Sequence, residues 1–384
     1  MDTNTHNPIT VCFFTPNAYP YFNAQTKAAL GGAELQIYNF STALAKDKDF
    51  DVHVLVDAAQ QDYEVVEDVI LHKFKTGGGG IKYLKTLYRA LLLFNVFSTI
   101  NADIYIQRSA SYWTGIIALY CKFRNKKFVY MAAHDGDTTK ELHPRRTGFL
   151  QTKMWWVYEY GLRNADLIVT QNTFQQEELK KNYNRNSVLR QSAHRIPEPH
   201  DVNDSNKDLI LWVARGEEWK RPNIFLDLAE KHPSEKFVII MPVSPKLKEF
   251  WRTTKYRADN LDNVEFKEFV QPNKIEQYFA KAKVFVNTST EEGFPNTFIQ
   301  AAKYKTPIVS LNVDPSSIVQ KYKIGIYAEG DENKLTQALD TLLTDKKAWK
   351  EHSENAYRYV KDNHDIERIV RQDKKLLRSL CEEN

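Results

Sequence analysis

The sequence predicts an α/β protein with two doubly wound domains, each built around a parallel sheet. Short apolar runs that suit buried parallel strands alternate with helical patterns in both halves of the chain. The 384 residues are enough for two domains of ordinary size, and a composition of 42% hydrophobic and 27% charged residues is that of a globular protein. Residues 188–208, which contain Pro197, Pro199 and the polar string DVNDSNKD, separate the two series and are the best linker candidate.

Each predicted element rests on a local pattern of this kind. In the first half, apolar runs predict strands at residues 9–15, 51–56, 69–74, 102–107, 127–132 and 165–170. Helices are predicted to begin after Gly31 and Gly32, at Trp113 and at Thr173. In the second half, strands are predicted at 209–213, 236–241, 264–266, 284–287 and 307–311, with helices at 224–231, from Pro295, at 332–343 and at about 349–380.

Composition excludes several classes of protein. The net charge of +4 is modest and no long Lys/Arg block is present, so we expect no nucleic-acid partner. Cys12, Cys121 and Cys381 are scattered and odd in number, which fits a reducing cytosol better than a disulfide framework or a zinc site. The first residues lack the organisation of a signal peptide, and no run of apolar residues is long enough to span a membrane. We therefore expect a cytoplasmic protein.

Residues 81–100 form an apolar and basic helical pattern, preceded by a flexible glycine break at residues 76–80. Such a helix commonly covers a sheet, and it can also lie on an anionic membrane surface. The glycines could instead make the segment a mobile flap over a cleft. Peripheral contact with the inner face of a membrane therefore remains open at this point.

The most informative stretch is residues 284–311, which reads as a buried strand, a polar loop, a helix and a second strand. Pro295 suits the first position of the helix, because its missing N–H is one that a helix leaves unpaired. A helix start can hold a diphosphate, and the nearby carboxylate of Glu292 suits sugar hydroxyls. The alternative is an ordinary strand-loop-helix unit in which Glu292 is a solvated loop charge.

Two cations follow the strand at residues 209–213. Arg215 ends the strand and Lys220 precedes the next helix, so both are placed to grip a diphosphate, Arg through a planar fork and Lys as a point charge. The alternative is a solvated turn rich in charge, since Glu217, Glu218 and Arg221 lie in the same loop.

The segment EEGFPNTFIQAAKYKTPIVS resembles the donor site of the family 4 retaining glycosyltransferases, the glycosyl transferases group 1 of GT-B architecture. The family pattern has Glu-Gly-Phe and then a second Glu; Glu292 matches the first, and Gln300 stands at the second. In the family, the loop that contains the two cationic residues has the sequence Gly-Arg-Leu, then three variable residues, then Lys-Gly. Arg215 and Lys220 match this loop, while Ala214, Gly216 and Arg221 depart from it.

Two further junctions in the first half resemble the family. Gly31 and Gly32 belong to a Gly-Gly-x-Glu, which in the family lies near the donor diphosphate; the alternative is a loop that needs positive φ. No third glycine follows at the spacing of a dinucleotide-binding fingerprint. His134 follows the strand at 127–132, where the family often has a His near the donor sugar; the alternative is a His bonded to its own turn. Asp135 and Asp137 spell Asp-x-Asp, which we interpret as chance rather than a metal site.

The resemblance implies two facing Rossmann-like domains. Residues 1–200 would bind the acceptor, residues 207–364 the nucleotide-sugar donor, and helix 365–384 would pack back on the first domain. The implied reaction transfers a sugar from a UDP- or GDP-sugar to a hydroxyl of a glycan or lipid-linked acceptor, with retention and without a metal or other cofactor. Surface polysaccharide assembly is the expected setting. A sugar-nucleotide epimerase on the same architecture and a non-catalytic nucleotide-sugar-binding relative remain alternatives.

The resemblance also assigns roles. Arg215 and Lys220 would stabilise the leaving diphosphate, Glu292 would hold donor-sugar hydroxyls, and His134 would line the reaction centre. The implied donor-binding set is completed by Gly31, Gly32, Phe269, Val270, Gly293, Phe294, Asn296, Thr297 and Gln300. The second Glu of the family usually accepts hydrogen bonds from the ribose, and a Gln can do so through its carbonyl. From the sequence alone, Gln300→Glu is therefore expected to keep or raise donor affinity.

Overall fold

The computed structural model describes residues 7–140, 154–244 and 247–382, apart from residues 24, 27–30, 58, 60, 75–81 and 203. The expected glycine break at 76–80 lies outside the described residues. The chain forms two compact units. One combines the chain up to Ala193 with the segment from Ile366 onward, and the other runs from His194 to Asp365.

The first unit contains an eight-stranded sheet. Its strands are β1 (Ile9–Phe14), β2 (Phe50–Val56), β3 (Tyr63–Val66), β4 (Val69–Lys73), β5 (Ile104–Arg108), β6 (Lys127–Met131), β7 (Leu167–Thr170) and β8 (Val188–Leu189). The order is β3-β4-β2-β1-β5-β6-β7-β8, and every neighbouring pair is parallel except the antiparallel pair β3–β4. Helices of this unit are α1 (Tyr19–Phe22), α2 (Gly32–Leu44), α3 (Lys82–Ile100), α4 (Tyr112–Arg124), α5 (Trp155–Asn164) and α6 (Thr173–Tyr183).

Strand β1 shows why this sheet is central to its unit. Successive side chains of a strand point to opposite faces, and in β1 both sets are buried. Val11 and Phe13 join the apolar cluster on one face, whereas Cys12 and Phe14 join the cluster on the other. A strand covered on both faces must be apolar throughout, which is why the run at its position in the sequence does not alternate.

The second unit contains a six-stranded sheet that is parallel throughout. Its strands are β9 (Leu209–Val213), β10 (Lys236–Ile240), β11 (Val264–Lys267), β12 (Ala282–Asn287), β13 (Ile308–Ser310) and β14 (Gly325–Tyr327), in the order β11-β10-β9-β12-β13-β14. Helices are α7 (Pro222–Lys231), α8 (Lys248–Asp259), α9 (Pro272–Lys281), α10 (Asn296–Ala302), α11 (Ile318–Lys321), α12 (Glu332–Thr344) and α13 (Lys346–His364). Apolar clusters cover both faces of this sheet as well. The predicted fold class, two α/β units with parallel sheets, is confirmed.

The last helix, α14 (Ile366–Glu382), belongs to the first unit. Its Ile369, Val370 and Leu377 lie in the same apolar cluster as Ile37 and Phe40 of α2. Polar contacts within the unit flank this packing: Arg190 Nε lies 2.9 Å from Asp373 Oδ1, and Lys374 Nζ lies 2.9 Å from Asp47 Oδ2. Burial raises the pKa of the Asp373 carboxyl to about 6, against the lowering effect of Arg190.

The helical pattern predicted at about 349–380 comprises two helices in the structure, and the second begins close to the expected start of the last helix at residue 365. Asp365 separates α13 from α14 with an extended backbone of φ −62° and ψ 121°. It forms an isolated parallel bridge with His194, and the N–H of His194 donates to the carbonyl of His364 at 2.8 Å. The break in the helix therefore coincides with the place where the chain leaves the second unit.

Helix α3 covers the sheet of the first unit with one side and exposes the other. Leu93 and Phe97 are buried, and the Phe97 ring lies 4.3 Å from the ring of Tyr105 on β5. Leu87, Tyr88 and Leu91 are exposed. Within the described residues, no helix has both the length and the apolar character needed to cross a membrane.

A histidine pair on β2 and β4 makes the stability of the first unit depend on pH. His53 Nδ1 and His72 Nε2 lie 2.8 Å apart, and His53 Nε2 lies 3.1 Å from Asp51 Oδ2. Burial and the neighbouring His53 lower the pKa of His72 from 6.5 to about 4. The unfolded chain therefore takes up a proton at this position over a range of pH where the folded chain does not.

We expect the free energy of unfolding to fall as the pH is lowered from about 6.5 towards 4, because proton uptake favours the unfolded chain. Urea denaturation at a series of pH values measures this slope. His72→Gln, which keeps a donor for His53, should make the slope shallower, and the exposed His200→Gln should not change it. His194, whose pKa is also depressed by burial, contributes a slope of the same sign, and Asp373, whose pKa burial raises to about 6, contributes one of the opposite sign. An unchanged slope in His72→Gln would contradict the assignment.

Candidate functional site

The candidate residues of the second unit lie in the loops that follow its strands. Arg215 and Lys220 follow β9, Glu292 follows β12, and Phe269 follows β11. Strands β9 and β12 are hydrogen-bonded neighbours and run parallel, so the loops after them emerge side by side at one edge of the sheet. The carboxyl edge of a parallel sheet is where α/β proteins bind ligands.

Lys220 and Glu292 form an ion pair between these two loops. The side chains are only 13% and 14% exposed, so water screens the pair weakly. Glu292 Oε1 also accepts a hydrogen bond from Ser289 Oγ at 2.9 Å, and the Lys220 ammonium lies 3.7 Å from the centroid of the Trp219 ring. Glu292 Oε2 makes no hydrogen bond within the described chain, so one acceptor oxygen of the carboxylate remains for a ligand.

Neutral hydrogen bonds reinforce the contact between the two loops. Trp212 Nε1 donates to Thr288 Oγ1 at 2.9 Å, and Thr288 Oγ1 donates to the carbonyl of Lys220 at 2.7 Å. The N–H of Thr290 donates to the carbonyl of Trp219 at 2.9 Å. Each bond joins residues that are far apart in the chain, so the geometry at Lys220 is set by the strand β12 and its loop.

Arg221 departs from the family's glycine, and the structure shows how the chain accommodates it. Its backbone has φ 46° and ψ 56°, the left-handed region that favours glycine. A non-glycine residue pays roughly 1 kcal/mol or more for this conformation. The guanidinium offsets that cost: Nε donates to the carbonyl of Thr288 at 2.8 Å, and the terminal nitrogen bonds Asn312 Oδ1. Gly216, another of the three departures, leaves room for Trp251, whose Cδ1 would lie 3.2 Å from an added Cβ.

Arg215 differs from Lys220 in its environment. It is exposed, and its side chain makes no hydrogen bond or ion pair with any described residue. The two cations predicted to grip a diphosphate therefore differ in environment: Lys220 is held against Glu292, whereas the side chain of Arg215 is exposed.

Helix α10 begins at Asn296, one residue after the predicted start, and Pro295 caps it in an extended conformation. The side chain of Asn296 is fixed from within the unit, because its Oδ1 lies 3.0 Å from Nε2 of the buried His194. Burial, with Lys303 and His364 nearby, holds the pKa of His194 well below its usual value, so the ring is neutral and donates to Asn296. The ring of Phe294 packs on His364, 5.3 Å between centroids. Gly293 is buried and Thr297 is half-buried beside it.

Gln300 faces a second charged pair. It is buried, and its Nε2 donates to Glu276 Oε1 of α9 at 3.4 Å. Glu276 Oε2 lies 2.7 Å from Lys303 Nζ. The helix that carries Glu276 begins directly after Phe269 and Val270, both of which are half-buried. The position where the family has a second Glu is therefore next to an existing carboxylate.

The remaining candidates lie in the first unit. His134 is half-buried after β6, and its Nδ1 accepts a hydrogen bond from the N–H of Gly136 at 3.1 Å. This bond matches the alternative interpretation of a His bonded to its own turn. It also determines the tautomer of the neutral ring, because an accepting Nδ1 leaves the proton on Nε2.

The two carboxylates of Asp135-Gly136-Asp137 are occupied by local bonds. Asp137 Oδ2 accepts from the N–H of Ala133 at 2.8 Å and of His134 at 3.1 Å. Asp135 Oδ1 accepts from Asn172 Nδ2 and Gln175 Nε2. No group of three potential metal-ligating side chains occurs among the residues that the structure describes.

Gly31 and Gly32 lie at the start of α2, which follows β1 and its adjoining loop. Gly31 is the N-cap, with φ −117° and ψ 158°, and Gly32 is the first helical residue. Extended backbone of this kind is open to any residue, so a need for positive φ does not explain the pair.

Comparison with protein families assigns the chain. A model of the family described as Glycosyltransferase Family 4 matches residues 30–203, and a model of the family described as Glycosyl transferases group 1 matches residues 207–345. Together the two models span most of the chain. The chain belongs to the family 4 glycosyltransferases and is a glycosyltransferase of GT-B architecture, as its motifs indicated.

Solved structures share this fold at low sequence identity. Sucrose-phosphate synthase from Thermosynechococcus elongatus has a TM-score of 0.78 at 15% identity, covering 98% of this chain and 100% of that one. HepE from Anabaena, solved in complex with UDP and glucose, has a TM-score of 0.74 at 15% identity over 97% of this chain and 100% of that one. WaaG, a glycosyltransferase involved in lipopolysaccharide biosynthesis, has a TM-score of 0.69 at 13% identity, covering 96% of this chain and 99% of that one. No curated protein sequence matches the chain.

Sequence reasoning missed the residues that position the site. Trp212, Thr288 and Ser289 hold the Lys220–Glu292 pair, His194 orients Asn296, and Glu276 contacts Gln300. None of them carries a motif. Only Thr288 and Ser289, a polar pair directly after a buried strand, offered a local signal.

The ion pair makes a prediction about stability that separates Glu292 from Arg215. Glu292→Ala leaves Lys220 largely buried without its carboxylate, so we expect the free energy of unfolding to fall by on the order of 2 kcal/mol. Glu292→Gln, which keeps an acceptor, should lose less. Arg215→Ala should leave stability nearly unchanged, because its side chain is exposed and makes no hydrogen bond or ion pair with a described residue. Urea denaturation of the three variants measures the differences; equal stability of all three would show that the pair contributes nothing.

Proposed function

We propose that this glycosyltransferase moves a sugar from a UDP- or GDP-sugar to an acceptor hydroxyl, with retention of configuration and without a metal. The observation that carries the proposal is the exposed Arg215 in the loop that also contains Lys220 of the Lys220–Glu292 pair, at the carboxyl edge of β9 and β12. Positive charge at such an edge suits a diphosphate, and the unoccupied oxygen of Glu292 suits a sugar hydroxyl. HepE, which shares the fold, was solved with UDP and glucose.

The proposed chemistry follows from where charge develops. As the bond from the sugar's anomeric carbon to the diphosphate breaks, negative charge builds on the leaving diphosphate, and Arg215 stabilises it through its planar fork. Lys220, already aligned by Glu292 and the Thr288 contacts, adds a second positive charge. The acceptor oxygen forms the new bond on the same face, and its proton passes to a leaving phosphate oxygen. No protein nucleophile is needed for this sequence.

Other candidate residues receive supporting roles in the proposal. Glu292 Oε2 accepts from hydroxyls of the donor sugar, and Asn296 and Thr297 border the loop that contains Glu292. Phe269 and Val270 meet the nucleotide base, as the family resemblance implies. For Gly31, Gly32 and His134 of the first unit, we retain the donor-binding roles that the family resemblance implies.

We propose surface polysaccharide or glycan assembly as the setting, with contact of α3 at an anionic membrane surface. The support is the exposed apolar face of Leu87, Tyr88 and Leu91, on a helix whose sequence also carries Lys82, Lys85 and Arg89. Apolar side chains beside basic ones suit the boundary between lipid headgroups and acyl chains. WaaG, a fold relative, acts in lipopolysaccharide biosynthesis.

Loss of Arg215 tests the proposed reaction. A thermal-shift screen of nucleotide sugars first identifies the donor, and release of nucleoside diphosphate is then followed with and without a glycan acceptor. Arg215→Ala should lower acceptor-dependent release by about 10²- to 10³-fold, as expected for one lost contact to developing charge, with an unchanged Tm. Arg252→Ala, an exposed arginine of α8 in the same unit, is the matched control and should stay active.

The rival activities give different results in the same assay. A sugar-nucleotide epimerase would convert its donor with no acceptor present, and a binding-only relative would release no nucleoside diphosphate under any condition. Full activity of Arg215→Ala would overturn the proposed role of this residue.

Membrane contact has its own test. Leu87→Asp/Leu91→Asp should reduce co-sedimentation with vesicles rich in anionic lipid by at least about tenfold, since each buried leucine contributes about 1.5–3 kcal/mol. Neutral vesicles should bind the unaltered protein weakly. Val65→Asp is the control, because Val65 is exposed on the edge strand β3 of the same unit. Equal sedimentation of the double variant and the control would contradict membrane contact through α3.

A further inference from the structure

Gln300, Glu276 and Lys303 form a polar cluster between helices α9 and α10. Gln300 is 7% exposed, and its contact with Glu276 is its single hydrogen bond within the described chain. Glu276 uses its two oxygens in different directions: Oε1 faces Gln300 Nε2 at 3.4 Å, and Oε2 faces Lys303 Nζ at 2.7 Å. Lys303 is itself fixed, because Nζ also lies 3.3 Å from the carbonyl of Arg195. Glu276 therefore has little freedom to turn away.

This arrangement favours one orientation of the Gln300 amide. An ionised carboxylate only accepts hydrogen bonds, so the NH₂ group of Gln300 is the end that can face Glu276. The carbonyl oxygen of the same planar amide then points away from Glu276. Position 300 consequently presents an acceptor with a defined direction, although the residue there is uncharged.

We propose that Glu276 is a positioning residue for the donor, which with Lys303 holds Gln300 so that its carbonyl oxygen accepts hydrogen bonds from the vicinal hydroxyls of the nucleotide. This inference rests on the proposed function. In the family pattern, the carboxylate of this cluster lies on α10, at position 300. In this chain it lies on α9, at position 276, and Lys303 balances its charge.

The proposal reverses the expectation from sequence for Gln300→Glu. A glutamate at position 300 would bring a second carboxylate to within hydrogen-bond distance of Glu276, in a cluster with a single cation. Two like charges so close repel, and both side chains would turn from their present positions. The family residue is therefore unsuited to this chain unless position 276 changes with it.

A double-mutant cycle tests the exchange of charge between the two positions, with UDP and GDP titrated into the full-length protein by calorimetry. Gln300→Glu should weaken binding of the preferred nucleotide by at least about tenfold, from like-charge contact and lost orientation. Glu276→Gln should weaken nucleotide binding several-fold. A glutamine at position 276 can both donate and accept hydrogen bonds, so it no longer determines which end of the Gln300 amide faces it. Gln300→Glu/Glu276→Gln restores one carboxylate and one amide in contact, and should return affinity to within about threefold of the original protein.

Two further measurements distinguish positioning from a purely structural role. Gln277→Glu adds the same charge at an exposed neighbouring position of α9, and its affinity should match that of the original protein. The ratio of affinities for UDP and 2′,3′-dideoxy-UDP reports on the hydroxyls: Glu276→Gln should lower this ratio, whereas a change in folding alone would leave it unaltered. Thermal unfolding of each variant shows whether it is folded.

The outcomes separate this inference from the function on which it rests. If the unaltered protein binds no nucleoside diphosphate, the proposed function fails. If it binds, and Gln300→Glu binds as tightly or more tightly, the positioning role of Glu276 is overturned. A folded double variant that binds no better than Gln300→Glu overturns it as well.

Discussion

The candidate site of the second unit depends on the ion pair between Lys220 and Glu292. It links the loop after β9 to the loop after β12, and Trp212, Thr288 and Ser289 bond the same two loops around it. Two exposed loops would each sample many conformations, and joining them at a largely buried charge pair limits both. The parallel pairing of β9 with β12 brings the loops to one edge of the sheet, and the ion pair then fixes the charges there.

The same pair gives the two cations of the loop different properties. Lys220 is aligned and partly neutralised by Glu292, whereas Arg215 is exposed and carries its full charge. A site of this kind combines an ammonium group that is held in one orientation with a guanidinium group that can change its orientation when a ligand binds. Preorganised charge is effective in catalysis because little reorganisation is needed when charge develops on the substrate.

Departures from the family pattern have tertiary explanations in this chain. Arg221 keeps the left-handed backbone that a glycine would adopt, and its side chain bonds Thr288 and Asn312. Gln300 stands where the family has a carboxylate, and Glu276 on the neighbouring helix already contributes one. In both places a substitution that looks unfavourable in the sequence is matched by a partner that is distant in the chain. A motif match read residue by residue would score these positions as defects.

The sequence by itself determined the two parallel α/β units, most of the strands and the loops that hold the candidate residues. Apolar runs mark buried strands, and a residue's place at a strand end follows from its position in the chain. Burial and pairing were decided only by the tertiary structure. Lys220 meets Glu292, Gln300 meets Glu276 and α14 joins the first unit through contacts between residues far apart in the sequence. The physical reason is that such contacts depend on strand order and helix packing, which local composition does not encode.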